Sequence, residues 1–297
     1  MKGGLHWMVV FSIRCMKRIA ILGPGLLGGS IALCLRSVGG FHVSLWARRA
    51  EAVAEIEARG CADVASTDAQ AMVREADIVV LCVPIEVMGD LAREIAGTVR
   101  PTTIVTDVGS VKAGVVAELS GIFAGKARFV GSHPMAGSQF TGLAGARADL
   151  FAGAACIVTP DATGDDAAIE AVSAFWCTLG CRVVQLAPQE HDECVALVSH
   201  LPHVLAGTLV RTVAAQNPRA FAVVGPGFRD TTRVSSGPPE LWVGILRQNA
   251  EAVCAALDAM IAKLQDLRQT LAPFSESGIR AALTEAKQTR DQITFPQ

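Results

Sequence analysis

At about 150 residues per domain, a chain of 297 residues is long enough for two domains, and its 51% apolar and 18% charged residues exclude a disordered chain. A formal net charge of −2 leaves no basic excess to hold a polyanion by counterion release, which sets nucleic acid aside as a main partner. None of the nine cysteines belongs to a C-x-x-C pair, so they are expected as buried thiols in a reducing compartment rather than as a metal or disulfide framework.

In chain order, residues 7–13 are apolar and follow Lys2, but no small-x-small cleavage site comes after them. Residues 1–16 are therefore expected to be an unstructured extension rather than a signal peptide. No uninterrupted apolar run reaches the roughly eighteen residues that span a bilayer, and the protein is expected in the cytoplasm with no membrane partner. From residue 17 to 188, short β-branched runs at 18–22, 42–46, 78–82, 103–107, 128–132, 155–159 and 182–185 alternate with longer Ala-rich stretches. This alternation predicts an α/β domain built on a doubly wound parallel sheet, its strands continuously apolar because helices cover both faces. Beyond residue 188 the strand signals stop, and 189–215, 239–271 and 276–292 read as helices. Val198, Leu201, Leu205 and Leu209 recur at three- and four-residue spacing and predict a buried face. About a hundred residues of apolar helix with no sheet to lie on predict an all-helical dimerisation domain and a homodimer. The domains are thus expected at 17–188 and 189–297.

Gly23-Pro24-Gly25-Leu26-Leu27-Gly28 follows the first strand and opens an Ala/Leu-rich helix. In that context G-x-G-x-x-G marks a Rossmann-type dinucleotide site. Gly23 permits the tight turn, Gly25 admits a pyrophosphate to the backbone, and Gly28 lets helix and strand pack closely. Leu26 and Leu27 supply N–H groups at the positive end of the helix. At the tip of the second strand, Trp46-Ala47-Arg48-Arg49 offers no acid to a ribose 2′-hydroxyl but two guanidiniums to a phosphate dianion. NADP is therefore expected over NAD, with Arg48 as chief phosphate ligand and Arg49 beside it; solvated loop charges are the alternative. Cys82-Val83-Pro84 ends a central strand where such a sheet opens its crevice, so Val83 and Pro84 are expected at the nicotinamide ribose.

Two further loops follow strands: Asp107-Val108-Gly109-Ser110-Val111-Lys112, and Gly131-Ser132-His133-Pro134-Met135-Ala136-Gly137-Ser138. They should bring the Ser110 hydroxyl and the His133 imidazole to the same crevice. An imidazole titrates near neutrality, so His133 is suited to take a hydroxyl proton as hydride leaves the adjacent carbon. In the helical half, Ser199-His200-Leu201-Pro202-His203 places a proline inside a helix, where a bend is expected. His200 and His203 lie on one face, one suited to bind substrate while the other packs. No third ligand has convincing spacing, and no metal is expected. In the Gly/Pro-broken loop 225–237, Arg233 is a candidate bidentate clamp for a substrate carboxylate, with Asp230 orienting it or competing for it; Trp242 follows at the start of the longest helix.

Taken together and in this order, these motifs resemble the prephenate and arogenate dehydrogenase family of tyrosine biosynthesis. The resemblance covers residues 17–271, and His-Pro-Met-Ala-Gly (133–137) and Ser-His-Leu-Pro-His (199–203) are its most specific parts. It implies oxidative decarboxylation of a cyclohexadienol, driven by aromatisation of the ring. It also implies His133 as catalytic histidine at the ring hydroxyl, Ser110 as the serine ordering that hydroxyl and the nicotinamide, and His200 and Arg233 as substrate ligands. Ser138 aligns with a hydroxylic substrate contact, and Trp242 with an aromatic that reaches the neighbouring subunit's site in some members. Gln139 stands where many members carry glutamate, so an ionic gate to Arg233 is not expected. Arg48 stands where NAD-preferring members carry an acid. A chain ending at Gln297 is expected to carry no fused regulatory domain. The residues do not choose between prephenate and arogenate. The rivals are another β-hydroxyacid or imine dehydrogenase, against which stands the lack of a lysine between His200 and Arg233, and a catalytically silent nucleotide sensor.

Overall fold

The computed structural model describes residues 18–137, 140–162 and 164–293; the expectations for residues 1–16, Ser138 and Gln139 lie outside the described residues. The chain divides after Pro188 into two compact units.

In the first unit, β1 (Arg18–Leu22), β2 (His42–Trp46), β3 (Val64–Ser66), β4 (Ile78–Leu81), β5 (Ile104–Asp107) and β6 (Arg128–Phe129) form one parallel sheet of order β3-β2-β1-β4-β5-β6. The connections run outward in both directions from the β1/β4 junction, the topological switch point where open α/β sheets bind ligands. Both sheet faces are buried, and alternate residues of one strand enter different cores. Ile19 and Ile21 pack with Ile31 and Leu35 of α1 (Leu26–Val38), while Ala20 and Leu22 pack with Met88 and Leu91 of α4 (Ile85–Ile95) and Leu119 of α5 (Ala113–Phe123).

The expected fifth strand at 128–132 divides. β6 stops at Phe129, and β7 (Gly131–Pro134) joins a second sheet in which it runs antiparallel to β8 (Ala155–Thr159), itself parallel to β9 (Arg182–Gln185). The parallel sheet is thus six strands wide and the remaining strands form a three-stranded annex. Its core side is sealed by α6 (Asp166–Thr178), whose Trp176 is fully buried with its ring edge-to-face against Phe151 and Phe175. The Cys177 side chain, one residue on and turned about 100° around the helix, is exposed, as are Cys194 and Cys254. Those three thiols correct the expectation of uniformly buried cysteines.

The second unit is helical: α7 (Pro188–Val195), a π-helical turn (Ala196–His200), α8 (Leu201–Gln216), α9 (Pro226–Thr232), α10 (Pro239–Gln248), α11 (Ala250–Leu271) and α12 (Glu276–Gln292). Pro202 cannot donate to the carbonyl four residues back, and the expected bend takes the form of the π turn just before it. Gly225 and Pro226 do not merely break a helix. They start one, with Gly225 as N-cap and Pro226 in the first turn of α9. The run 239–271 is interrupted at Asn249, so Trp242 belongs to α10 and not to the longest helix. Of the four residues expected to mark a buried face, Leu201 is buried, whereas Val198 is 70% and Leu209 37% exposed. Three- and four-residue spacing identifies an apolar stripe, not what covers it. The continuous helical run Pro188–Gln216 has an apolar stretch of mean hydropathy 1.4, of which 28% is buried.

Candidate active site

Parallel strands bring all their carboxyl ends to one edge of a sheet, and β1, β4, β5 and β6 are consecutive neighbours there. The glycine loop leaves β1. Gly23 has φ of 120°, and a Cβ on it would lie 2.4 Å from the Cys82 carbonyl oxygen; one on Gly28 would lie 2.0 Å from the Gly23 oxygen. The protein's own backbone therefore requires both glycines. Gly25 differs, because a Cβ there would meet nothing within 4 Å. It keeps open the space before α1, whose first turn, beginning with Leu26 and Leu27, has no side-chain cap. A helix N-terminus with uncapped N–H groups behind an unfilled space fits a pyrophosphate, and the residues present thus fit a dinucleotide.

The Gly23 amide donates to the Trp46 carbonyl at 3.1 Å, joining the loop to the tip of β2. Arg48 and Arg49 come two and three residues later, both exposed and, among the described residues, without an ion-pair or side-chain hydrogen-bond partner. At the end of β4, Val83 is half-buried and Pro84 exposed as the N-cap of α4. Burial, with a smaller contribution from Asp107, raises the Cys82 thiol far above its ordinary range and leaves it a packing group without thiolate chemistry.

Beyond β5 lies a buried polar network that sequence reasoning did not assign. Lys112 and Asp107 form an ion pair with both side chains fully buried. The Asp107 carboxylate also accepts from the Gly109 amide at 2.7 Å and the Ser132 amide at 3.1 Å. The Ser132 hydroxyl donates to the Asp107 carbonyl at 2.6 Å, lies 2.8 Å from the Thr106 hydroxyl and accepts from Trp176 Nε1 at 2.9 Å. Ser110 stands half-buried inside the loop that the ion pair closes. His133 follows Ser132 in β7, 9% exposed and opposite Ile157 of β8. It occupies a strand rather than the expected loop, because β7 continues past the end of β6. A readable signal existed: a charged residue ending an otherwise apolar buried strand needs a counter-charge, and Lys112 stands five residues away across a glycine turn.

In the second unit, the expected pair His200 and His203 separates into two environments. His200, 1% exposed, ends the π turn, and its Nδ1 lies 3.2 Å from Asn249 Nδ2. Burial pushes its pKa down to about 4, opposed by the Asp192 carboxylate and assisted by His191 and His203. His203 lies flat on the Trp242 ring with centroids 3.5 Å apart, while His200 meets the same indole edge-on at 6.1 Å. Burial lowers the His203 pKa as well. Gly237 makes room for the indole, since a Cβ there would lie 2.4 Å from Trp242 Nε1. Arg233 is exposed, without an ion-pair partner among the described residues, at the start of a 3₁₀ turn (Arg233–Ser236). Asp230 neither orients it nor competes for it, because Asp230 accepts from Arg229 Nε at 3.0 Å.

Comparison with known proteins accounts for both units. Residues 31–185 match the model of the prephenate dehydrogenase nucleotide-binding domain, and residues 187–285 that of the prephenate dehydrogenase dimerization domain. The chain is 36% identical over 261 residues to the cyclohexadienyl dehydrogenase of Zymomonas mobilis, a match covering 86% of this chain and 89% of that one. Among solved structures it is similar to Aquifex aeolicus prephenate dehydrogenase in complex with hydroxyphenyl propionate and NAD+, at 29% identity and a TM-score of 0.87, over 94% of this chain and 99% of that one. It is also similar to Synechocystis arogenate dehydrogenase, at 29% identity and a TM-score of 0.84, over 93% and 99%.

Proposed function

Because the chain belongs to the prephenate dehydrogenase family, we propose that it catalyses the oxidative decarboxylation of prephenate or arogenate to 4-hydroxyphenylpyruvate or tyrosine, with NADP as preferred cofactor. The observation that carries the reading lies within one unit: the glycine loop, Val83-Pro84, the Ser110 loop and the strand bearing His133 follow neighbouring strands along one sheet edge.

The nicotinamide supplies the hydride acceptor when bound. Gly23, Gly25 and Gly28, with the N–H groups of Leu26 and Leu27, hold the pyrophosphate; Arg48 and Arg49 take the 2′-phosphate, and Val83 and Pro84 border the ribose. His133 accepts the ring hydroxyl proton while hydride leaves the same carbon, and Ser110 orders that hydroxyl. Loss of the ring carboxylate as carbon dioxide supplies the electron pair that completes the aromatic ring. His200 and Arg233 bind substrate oxygens, with Ser138 and Trp242 as further contacts. A second copy of the chain covers the exposed stripe that includes Val198 and Leu209, a reading supported by the dimerization-domain match and by the extent of uncovered apolar helix.

The test is turnover of each substrate with each cofactor, followed by His133→Asn. The substitution removes the proton acceptor and keeps the ring's approximate shape. Turnover should fall by a factor on the order of 10²–10⁴ with substrate still bound; undiminished turnover rejects the role of His133.

A further inference from the structure

Asn249 interrupts what would otherwise be a single helix from 239 to 271. It caps the end of α10 and the start of α11, its amide donates to the Ile245 carbonyl, and its carbonyl accepts from the Val253 amide, both at 3.0 Å. The break turns a polar side chain inward, where it is 5% exposed. Its Nδ2 donates to the Asp192 backbone carbonyl at 2.8 Å and lies 3.2 Å from His200 Nδ1.

These two contacts fix a proton. A backbone carbonyl only accepts, so the amide nitrogen, and not its oxygen, must face Asp192. The second N–H of that nitrogen then meets His200 Nδ1, which has to be the unprotonated ring nitrogen. The remaining ring proton resides on Nε2. A doubly protonated ring would set two donors against each other at 3.2 Å. The charged and titratable neighbours are Asp192, whose carboxylate already accepts from His191 at 2.8 Å, and the two histidines His191 and His203. Burial opposes the cationic form of His200 in the same sense.

We propose that Asn249 is a positioning residue that locks His200 as the Nε2–H tautomer, so that His200 meets a substrate oxygen as a hydrogen-bond donor of fixed direction. The proposal rests on the reading of His200 as a substrate ligand. An Nδ1–H ring would present an acceptor to a carboxylate or hydroxyl oxygen at the same place, and would repel a carboxylate. The locked tautomer therefore contributes to ground-state binding and not to the proton transfer assigned to His133.

Nitrogen-15 spectra of histidine-labelled protein, with the His200 signals assigned by their loss in His200→Gln, read the tautomer directly. The wild-type protein should show a protonated Nε2 and a bare Nδ1. In Asn249→Leu, which keeps the volume and cannot donate, the two tautomers should mix and substrate KM should rise about tenfold, the worth of one hydrogen bond, with kcat within about twofold. In Asn249→Asp a carboxylate acceptor should draw the proton to Nδ1. A wild-type ring protonated at Nδ1 overturns the proposal whether or not any variant folds, and so does Asn249→Leu with KM unmoved. Wild-type turnover in the same preparation checks the family reaction separately, so failure of that reading is distinguishable from failure of this one.

Discussion

Lys112→Met tests whether the network beneath Ser110 and His133 rests on one buried ion pair. Lys112 and Asp107 are both fully buried, so removing the cation leaves a carboxylate in a low-dielectric site with its Gly109 and Ser132 amide donors. Breaking such a pair from one side costs about 3–5 kcal/mol, and the two remaining donors place the expected loss near 3. At about 2–4 °C per kcal/mol for a domain of this size, melting of the nucleotide-binding unit should fall by roughly 6–12 °C. The double variant Asp107→Asn with Lys112→Met removes the charge but keeps an acceptor for only one of the two amides, which bond to different carboxylate oxygens. It should recover part of the loss, because no uncompensated buried charge remains. Thermal and urea unfolding of these two variants and of the single Asp107→Asn supply the double-mutant cycle. A single variant that loses less than about 1 kcal/mol, or a double variant less stable than the single, would refute the assignment. At a temperature where Lys112→Met is folded, prephenate turnover should still be depressed, since the pair closes the loop that carries Ser110.

The glycine loop makes opposite predictions for two of its members. Gly25→Ala should leave unfolding within about 0.5 kcal/mol of the parent and weaken cofactor binding, because its Cβ enters only open space; Gly28→Ala should fail in folding, because its Cβ would lie 2.0 Å from a carbonyl oxygen. Calorimetric titration and melting curves separate the two effects, and equal behaviour would remove Gly25 from the cradle. Arg48→Asp should turn the ratio of NADP to NAD efficiency toward NAD by repelling the 2′-phosphate, and an unaltered ratio would show that guanidinium to be a solvated charge. The His200 pKa is lowered from 6.5 to about 4, so between those values the unfolded state binds a proton that the folded state refuses. Stability is then full above about pH 6.5 and is lost as pH falls toward 4, by up to about 3 kcal/mol from this group. His200→Gln should flatten the unfolding profile over that window; an unchanged slope would locate the acid sensitivity elsewhere.

What was legible in the sequence followed from period and spacing. The continuous apolar strands, the glycine loop with its flanking strand and helix, and the change to helices after residue 188 all stand in the fold. β3 escaped notice because three residues, Val64–Ser66, at a sheet edge show neither alternation nor an apolar run. The antiparallel annex escaped for another reason. An apolar run carries no sign of its partner's direction, and Gly131-Ser132-His133-Pro134 lacks the β-branched residues that mark a strand. Local pattern also could not reveal pairings distant in sequence: Trp176 with Ser132, forty-four residues apart, or Asn249 with His200, forty-nine apart.

These long-range partners share a physical logic that explains why the motifs themselves were easier to read. Residues that touch a ligand must take particular types at particular positions, and they leave a compact signature, as the residues proposed for that task do in His-Pro-Met-Ala-Gly. Residues that hold those loops need only satisfy a buried donor or acceptor, a task that many side chains at many chain positions can perform. Asp107 lies between the two classes: it ends a strand in a readable motif, yet its carboxylate acts inward, on the amides of Gly109 and Ser132 and on Lys112. The same holds for Asn249, whose side chain bonds to the chain rather than to solvent. A buried polar residue at a break in an otherwise regular apolar element is therefore the sequence feature to examine for supporting groups. In this chain Asp107 shows it at a strand end and Asn249 between two helices, near the two histidines proposed for proton transfer and substrate binding.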